Sequence, residues 1–180
     1  MSFWLANSSK LIMQVIDNFL SEGEFKNLRD YISSTSFPWY FGLVTTDSKI
    51  AQFVHTFYAN DMPTSTWQNV SFLREKLNMA ALVRIKVNLN PKTEKLLIHE
   101  DAFHIDYPDI TTAVFYFNTC DGYTLFENGT KVNSVENRIV IFDSNTRHTG
   151  TSCTNEAGRL VMNINYFPCK KNQYFSKDYG

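Results

Sequence analysis

His104-Ile105-Asp106 sets an imidazole and a carboxylate two residues apart. A second imidazole, His148, follows 42 residues after Asp106, and Arg159 lies 11 residues beyond it. Two imidazoles and one carboxylate are the donor set that holds non-haem Fe(II) on one triangular face, leaving the opposite face open for substrate and oxygen. Ligation needs neutral imidazoles and an ionised carboxylate, and metal binding favours those states. A planar guanidinium can grip a carboxylate through two parallel hydrogen bonds, which a lysine cannot. The four residues together point to an iron enzyme with a keto acid as co-substrate.

The other histidines weigh less. His55 sits in an aromatic stretch, residues 52–58, and reads as structural. His99, with Glu100 and Asp101 beside it, is an alternative ligand that lacks the downstream pattern.

Strand geometry must then do the positioning. Residues i and i+2 of a strand share a face, so His104 and Asp106 can reach one ion while Ile105 points away. His148 must arrive from another strand. Apolar and polar residues alternate at Leu11, Met13 and Val15, predicting a strand over about 11–19. Ser21 and Glu24 make a capping-box pattern and Leu20 with Phe25 a hydrophobic staple, opening a helix whose stripe is Phe25, Leu28 and Ile32. Residues 39–58 read as two strands joined near Asp47-Ser48. A second helix is predicted from about Ser65 to Asn78, with Trp67, Val70, Leu73 and Leu77 on one side. Strands are predicted at 82–90, 96–105, 110–118, 123–126, 131–134, 138–142, 146–149 and 159–167.

The expected fold is mainly β with N-terminal helices, a double-stranded β-helix or jelly roll. It is read as one domain over 1–180, with a helical preface over about 1–80 and a jelly-roll core over about 81–168. The polar sides of its strands leave two readings open. Arg84, Lys86, Asn88 and Asn90 oppose Ile85, Val87 and Leu89, and Arg159, Val161, Asn163 and Asn165 oppose Leu160, Met162 and Ile164. Thr112, Val114, Tyr116 and Asn118 likewise oppose Ala113, Phe115 and Phe117. These sides either face water, as in most antiparallel sheets, or converge on a polar interior. Tyr116 and Arg159 favour convergence for their strands, whereas Arg84 and Lys86 read as solvent-facing.

A formal net charge of −1 gives no basic excess to displace counterions, so nothing marks a nucleic-acid binder. No apolar stretch approaches a membrane span and no export signal is evident. Three widely spaced cysteines, Cys120, Cys153 and Cys169, fit free thiols in a reducing compartment, and a cytoplasmic location is expected.

The residues over about 81–167 resemble the 2-oxoglutarate- and Fe(II)-dependent oxygenase superfamily, specifically its prolyl-4-hydroxylase-like branch. The resemblance runs through His104-Ile105-Asp106 and Phe115-Tyr116-Phe117-Asn118, which is like the family's Y-x-N strand. It continues through Asp121-Gly122-Tyr123-Thr124-Leu125-Phe126, like its G-G-x-T-x-F turn, and through Asn137 to Phe142, like its G-x-x-x-x-F strand. His148-Thr149-Gly150 and Arg159 complete it. Asp121 and Asn137 stand where the family has glycine, and no tyrosine precedes the H-x-D as it does there. The resemblance implies that His104, Asp106 and His148 bind Fe(II). It also implies that Arg159 pairs with the 5-carboxylate of 2-oxoglutarate, that Tyr116 donates a hydrogen bond to it, and that Asn88 is a further co-substrate contact. The implied reaction hydroxylates a protein or peptide side chain, such as proline, or a small molecule. It consumes O2 and releases succinate and CO2, with ascorbate in support. A non-catalytic jelly-roll binding module and a cupin-like metal enzyme without 2-oxoglutarate are the competing readings.

Overall fold

The structure, a computed structural model, describes residues 13–43, 50–98 and 103–169. Its elements in chain order are β1 (Gln14–Ile16), α1 (Glu22–Ile32), β2 (Tyr40–Leu43), β3 (Ala51–Ala59) and β4 (Met62–Pro63). A 3-10 turn (Trp67–Asn69), α2 (Leu73–Lys76), β5 (Met79–Pro91), β6 (Thr111–Tyr116) and β7 (Tyr123–Phe126) follow. Last come β8 (Lys131–Asn133), β9 (Arg138–Asp143), β10 (His148–Gly150) and β11 (Gly158–Pro168). All pairings between these strands are antiparallel. The major sheet runs β1-β9-β6-β11-β5-β3-β2 with β4 against β3, and the minor sheet runs β10-β7-β8. This is the double-stranded β-helix expected, with strands β1 to β4 of the preface added to its major sheet.

Alternation sends the major sheet's two faces to different duties. Ile85 and Val87 of β5, Phe115 of β6 and Met162 and Ile164 of β11 pack in one core with Phe25, Leu28 and Ile32 of α1. Val114, Tyr116, Val140 and Val161 turn the other way and meet Phe126 and Val132 of the minor sheet. Beyond that second cluster the same face carries polar side chains and opens into a cavity.

The signalled capping box is present. The Ser21 hydroxyl accepts from the Glu24 N–H, and the Glu24 carboxylate accepts from the Ser21 N–H at 2.9 Å. Asn137 has φ of 57°, in the left-handed region that glycine enters freely and asparagine tolerates. Its side chain also binds the Leu20 backbone twice, Oδ1 accepting from N–H and Nδ2 donating to the carbonyl. The family's glycine is thus replaced by a residue that fits the same turn and ties α1 to the sheet.

Three expectations are corrected. The helix predicted over 65–78 is a 3-10 turn and a single α turn. Thr66 gives no side-chain cap, and the Asn69 and Ser71 side chains donate to the Thr66 and Gln68 carbonyls, which competes with the helix ladder. Its apolar side is nevertheless right, since Val70, Leu73 and Leu77 are buried. The strand predicted over 96–105 reduces, among the described residues, to single bridges at Ile98 and His104. The Leu97 N–H goes to the Ser152 hydroxyl, and a bend begins at Asp106. Among the described residues, the predicted strand over 11–19 reduces to β1, Gln14–Ile16. The 47–48 junction and His99 lie outside the described residues.

Candidate metal centre and its anion-binding end

His104 and His148 are fixed to each other before any ion is considered. Each backbone N–H donates to the other's carbonyl at 3.1 Å, an isolated bridge that closes the minor sheet over the cavity. Their rings lie 4.9 Å apart between centroids. His148 Nδ1 donates to the Thr146 carbonyl at 3.2 Å, which leaves Nε2 as the free lone pair. Phe142 stands edge-on to that ring at 4.9 Å. Burial pulls His148 below its ordinary pKa, outweighing the attraction of Asp106, so it is a neutral donor at neutral pH.

Asp106 is held from three sides. Arg84 Nη2 donates to Oδ1 at 2.7 Å, Asn165 Nδ2 donates to Oδ2 at 3.1 Å, and His104 Nε2 lies 3.3 Å from Oδ1. Arg84 Nε in turn donates to Asn165 Oδ1 at 3.1 Å. Arg84 and Asn165 are register partners of β5 and β11, so the sheet itself makes this clamp. Burial would raise the Asp106 carboxyl, but the His104 hydrogen bond, the Arg84 guanidinium and Asn165 hold it well below the usual carboxylate range. One ligand atom from each of His104, Asp106 and His148 lies within 4.8 Å of the others. Two neutral-capable imidazoles, one from β10 and one from the segment bridged to it, with the ionised carboxylate of the bend that follows, fit a divalent ion such as Fe(II).

Arg159 is 2% exposed, yet it has no carboxylate partner among the described residues. Its Nε donates to Ser134 Oγ at 2.7 Å and Nη2 to Thr124 Oγ1 at 3.1 Å, both neutral acceptors. Burial lowers its pKa, but a guanidinium keeps its proton. A buried cation met only by neutral groups is costly until an anion joins it. Its stem passes Gly122, where a Cβ would come within 2.6 Å of Arg159 Cδ and 2.5 Å of the Ser152 carbonyl oxygen. Thr124 pairs with Gly150, two positions from His148, a separation of about 7 Å along the strand. A short diacid spans that offset.

Both groups line one cavity of about 310 Å³. Its floor includes Lys86, Asn88, Asn90 and Asn163. Asn88 Oδ1 is buried and has no hydrogen-bond partner among the described residues. Of the expected site residues, His104, Asp106, His148, Arg159 and Asn88 all meet here. Tyr116 stands one layer back. Its hydroxyl donates to Thr124 Oγ1 at 2.8 Å and its ring lies beneath the guanidinium, so Thr124, not Tyr116, reaches the cavity. Arg84 and Lys86 are corrected from solvent to cavity, because their strand side faces the minor sheet. Arg84, Asn165, Thr124 and Ser134 were missed as supports. The alternation that set Arg84 and Asn165 opposite apolar residues was the available signal.

His55, read as structural, is buried between the Pro38 carbonyl and the Thr66 hydroxyl at 2.8 and 2.7 Å.

No family model matches the sequence, and no curated protein sequence matches it. Solved structures do match the fold. A Trichoplax adhaerens prolyl hydroxylase, in complex with a hypoxia inducible factor oxygen degradation domain peptide fragment, superposes with a TM-score of 0.61 at 17% identity. That match covers 86% of this chain and 83% of that one. A Pseudomonas putida prolyl-4-hydroxylase gives 0.54 at 12%, over 86% and 92% of the two chains. HygX from Streptomyces hygroscopicus, with nickel and 2-oxoglutarate bound, gives 0.56 at 11%, over 87% and 83%. The chain therefore has the fold of prolyl hydroxylases and other 2-oxoglutarate- and Fe(II)-dependent oxygenases.

Proposed function

We propose that the protein is a 2-oxoglutarate- and Fe(II)-dependent oxygenase that hydroxylates its substrate. The observation that carries this reading is the buried, uncompensated Arg159 at one end of a cavity whose other end holds His104, Asp106 and His148. When bound, Fe(II) with 2-oxoglutarate and O2 supplies oxidative chemistry that turns the keto acid into succinate and CO2 and delivers one oxygen atom to the substrate.

The chain supplies placement and charge. His104, Asp106 and His148 hold the metal, and Arg84 with Asn165 fixes the carboxylate that completes the set. Arg159 takes the distal carboxylate of the co-substrate, with Thr124 beside it, while Tyr116 props both from behind. Asn88, orphaned within the cavity, is offered as a further co-substrate contact. Phe142 and Phe126 pack around His148 and keep water from that side of the site. The bridge between His104 and His148 keeps the ligands in place before loading, which lowers the ordering cost of binding. No residue is assigned to ascorbate.

The direct test is proton NMR of 2-oxoglutarate incubated in air with the Fe(II)-loaded protein. Slow conversion to succinate, lost in His148→Ala, is expected even without the hydroxylated substrate. Keto acid left intact for hours beside correctly iron-loaded wild type would sink the reading.

A further inference from the structure

Lys86 is the one cavity-lining cation, among the described residues, to which neither the metal centre nor the co-substrate lays claim. It stands on β5 between Arg84 and Asn88, its neighbours Ile85 and Val87 fully buried on the opposite face. It is half-buried, lines the cavity, and makes no ion pair or hydrogen bond among the described residues. In register beside it is Asn163 of β11, which also lines the cavity.

Charge balance gives this position meaning. Among the described residues the cavity carries three cationic side chains, Arg84, Lys86 and Arg159, against the single carboxylate of Asp106. Arg84 is already paired with Asp106 at 2.7 Å. A divalent metal and a doubly charged keto acid cancel each other, so the loaded site keeps two positive charges. In a cleft walled by protein such an excess attracts an anion more strongly than it would in bulk solvent. Burial first, and then the neighbouring Arg84, press Lys86 toward losing its proton against the pull of Asp106, and an incoming anion adds to that pull. Asn163, in register beside it, offers amide hydrogen bonds to a polar body.

We propose that the substrate carries an anionic group, a carboxylate or a phosphate, which Lys86 binds, making Lys86 the residue that determines substrate specificity. This rests on the oxygenase reading above. Lys86 sits two positions from Arg84 and four from Asn90, the partner of Arg159, so it lies between the metal end and the keto-acid end of the floor. A compact anion held there stands next to the metal face without displacing the co-substrate.

The experiment is calorimetric titration, without oxygen, of protein loaded with Fe(II) and saturating 2-oxoglutarate. The probes are glycerol 3-phosphate against glycerol, and butanoate against butanamide. The expected result is at least tenfold tighter binding of one charged probe than of its neutral counterpart; whichever pair shows it distinguishes phosphate from carboxylate. Lys86→Met is expected to erase that difference and Lys86→Arg to keep most of it, with the affinity for 2-oxoglutarate changed less than about twofold in both. Equal affinity within both pairs, or a preference that survives in Lys86→Met, overturns the proposal. So does a large loss of 2-oxoglutarate affinity in Lys86→Met, which would make Lys86 a co-substrate residue. Those failures leave iron and keto-acid binding intact; failure of the oxygenase reading shows instead as wild type that never binds 2-oxoglutarate.

Discussion

The two faces of the β5–β11 pair are built from the same strands and lead opposite lives. On one, Ile85, Val87, Met162 and Ile164 are fully buried against the helix side and make an ordinary dry core. On the other, Arg84, Lys86, Asn88, Arg159 and Asn163 line a cavity. The first face follows the rule that buried surface should be apolar. The second breaks it with two cations, Lys86 and Arg159, that lack carboxylate partners among the described residues, and with an amide oxygen, Asn88 Oδ1, with no hydrogen bond there. Local inconsistency of this kind is what a binding site looks like before its ligands arrive.

The contrast can be broken by mutation, and the largest effect is expected on the dry face. Phe115→Ala removes a ring that packs on Phe25, Phe19 and Phe117 and should cost about 3–5 kcal/mol of stability, read by denaturant unfolding. The fraction that still folds should bind Fe(II) as wild type does. On the wet face, Arg159→Ala should lower 2-oxoglutarate affinity on the order of 100-fold by calorimetry, with unfolding little changed, because the buried charge was uncompensated without ligand. A comparable loss of stability in both variants would erase the distinction.

Alkaline pH probes the dry face again. Burial pushes the Tyr166 phenol up to about 12, so between pH 10 and 12 the unfolded chain ionises and the folded one does not. Stability should therefore fall as pH rises through that window, by up to about 3 kcal/mol, and Tyr166→Phe should flatten the fall. The smallest effect belongs to the metal clamp. Asn165→Ala frees one oxygen of Asp106 and should weaken Fe(II) binding about tenfold, with Arg84 still holding the other oxygen.

What the sequence makes legible follows from the range of the interaction. The Ser21–Glu24 cap spans three residues, and strand alternation spans two, so the start of α1 and the two faces of β5, β6 and β11 could be read directly. His104 and Asp106 are likewise close neighbours. The Arg84–Asn165 clamp joins residues 81 apart through a strand register that no local pattern encodes. The resemblance assigns Tyr116 to the co-substrate, but Thr124 from the minor sheet intervenes. Among the described residues, the strand expected over 96–105 is reduced to bridges at Ile98 and His104 by a similarly distant partner. Ser152, more than 50 residues away, takes the Leu97 N–H through its hydroxyl.

In the proposed oxygenase, one cavity holds Fe(II) at His104, Asp106 and His148 and 2-oxoglutarate between that ion and Arg159. Anaerobic titration of the metal-free protein with Fe(II), then 2-oxoglutarate, tests it most directly. A visible charge-transfer band should grow only on adding the keto acid, saturate at one equivalent, vanish in His104→Ala, and need far more keto acid in Arg159→Ala. Folded protein that binds iron yet shows no band at any concentration of 2-oxoglutarate would contradict it.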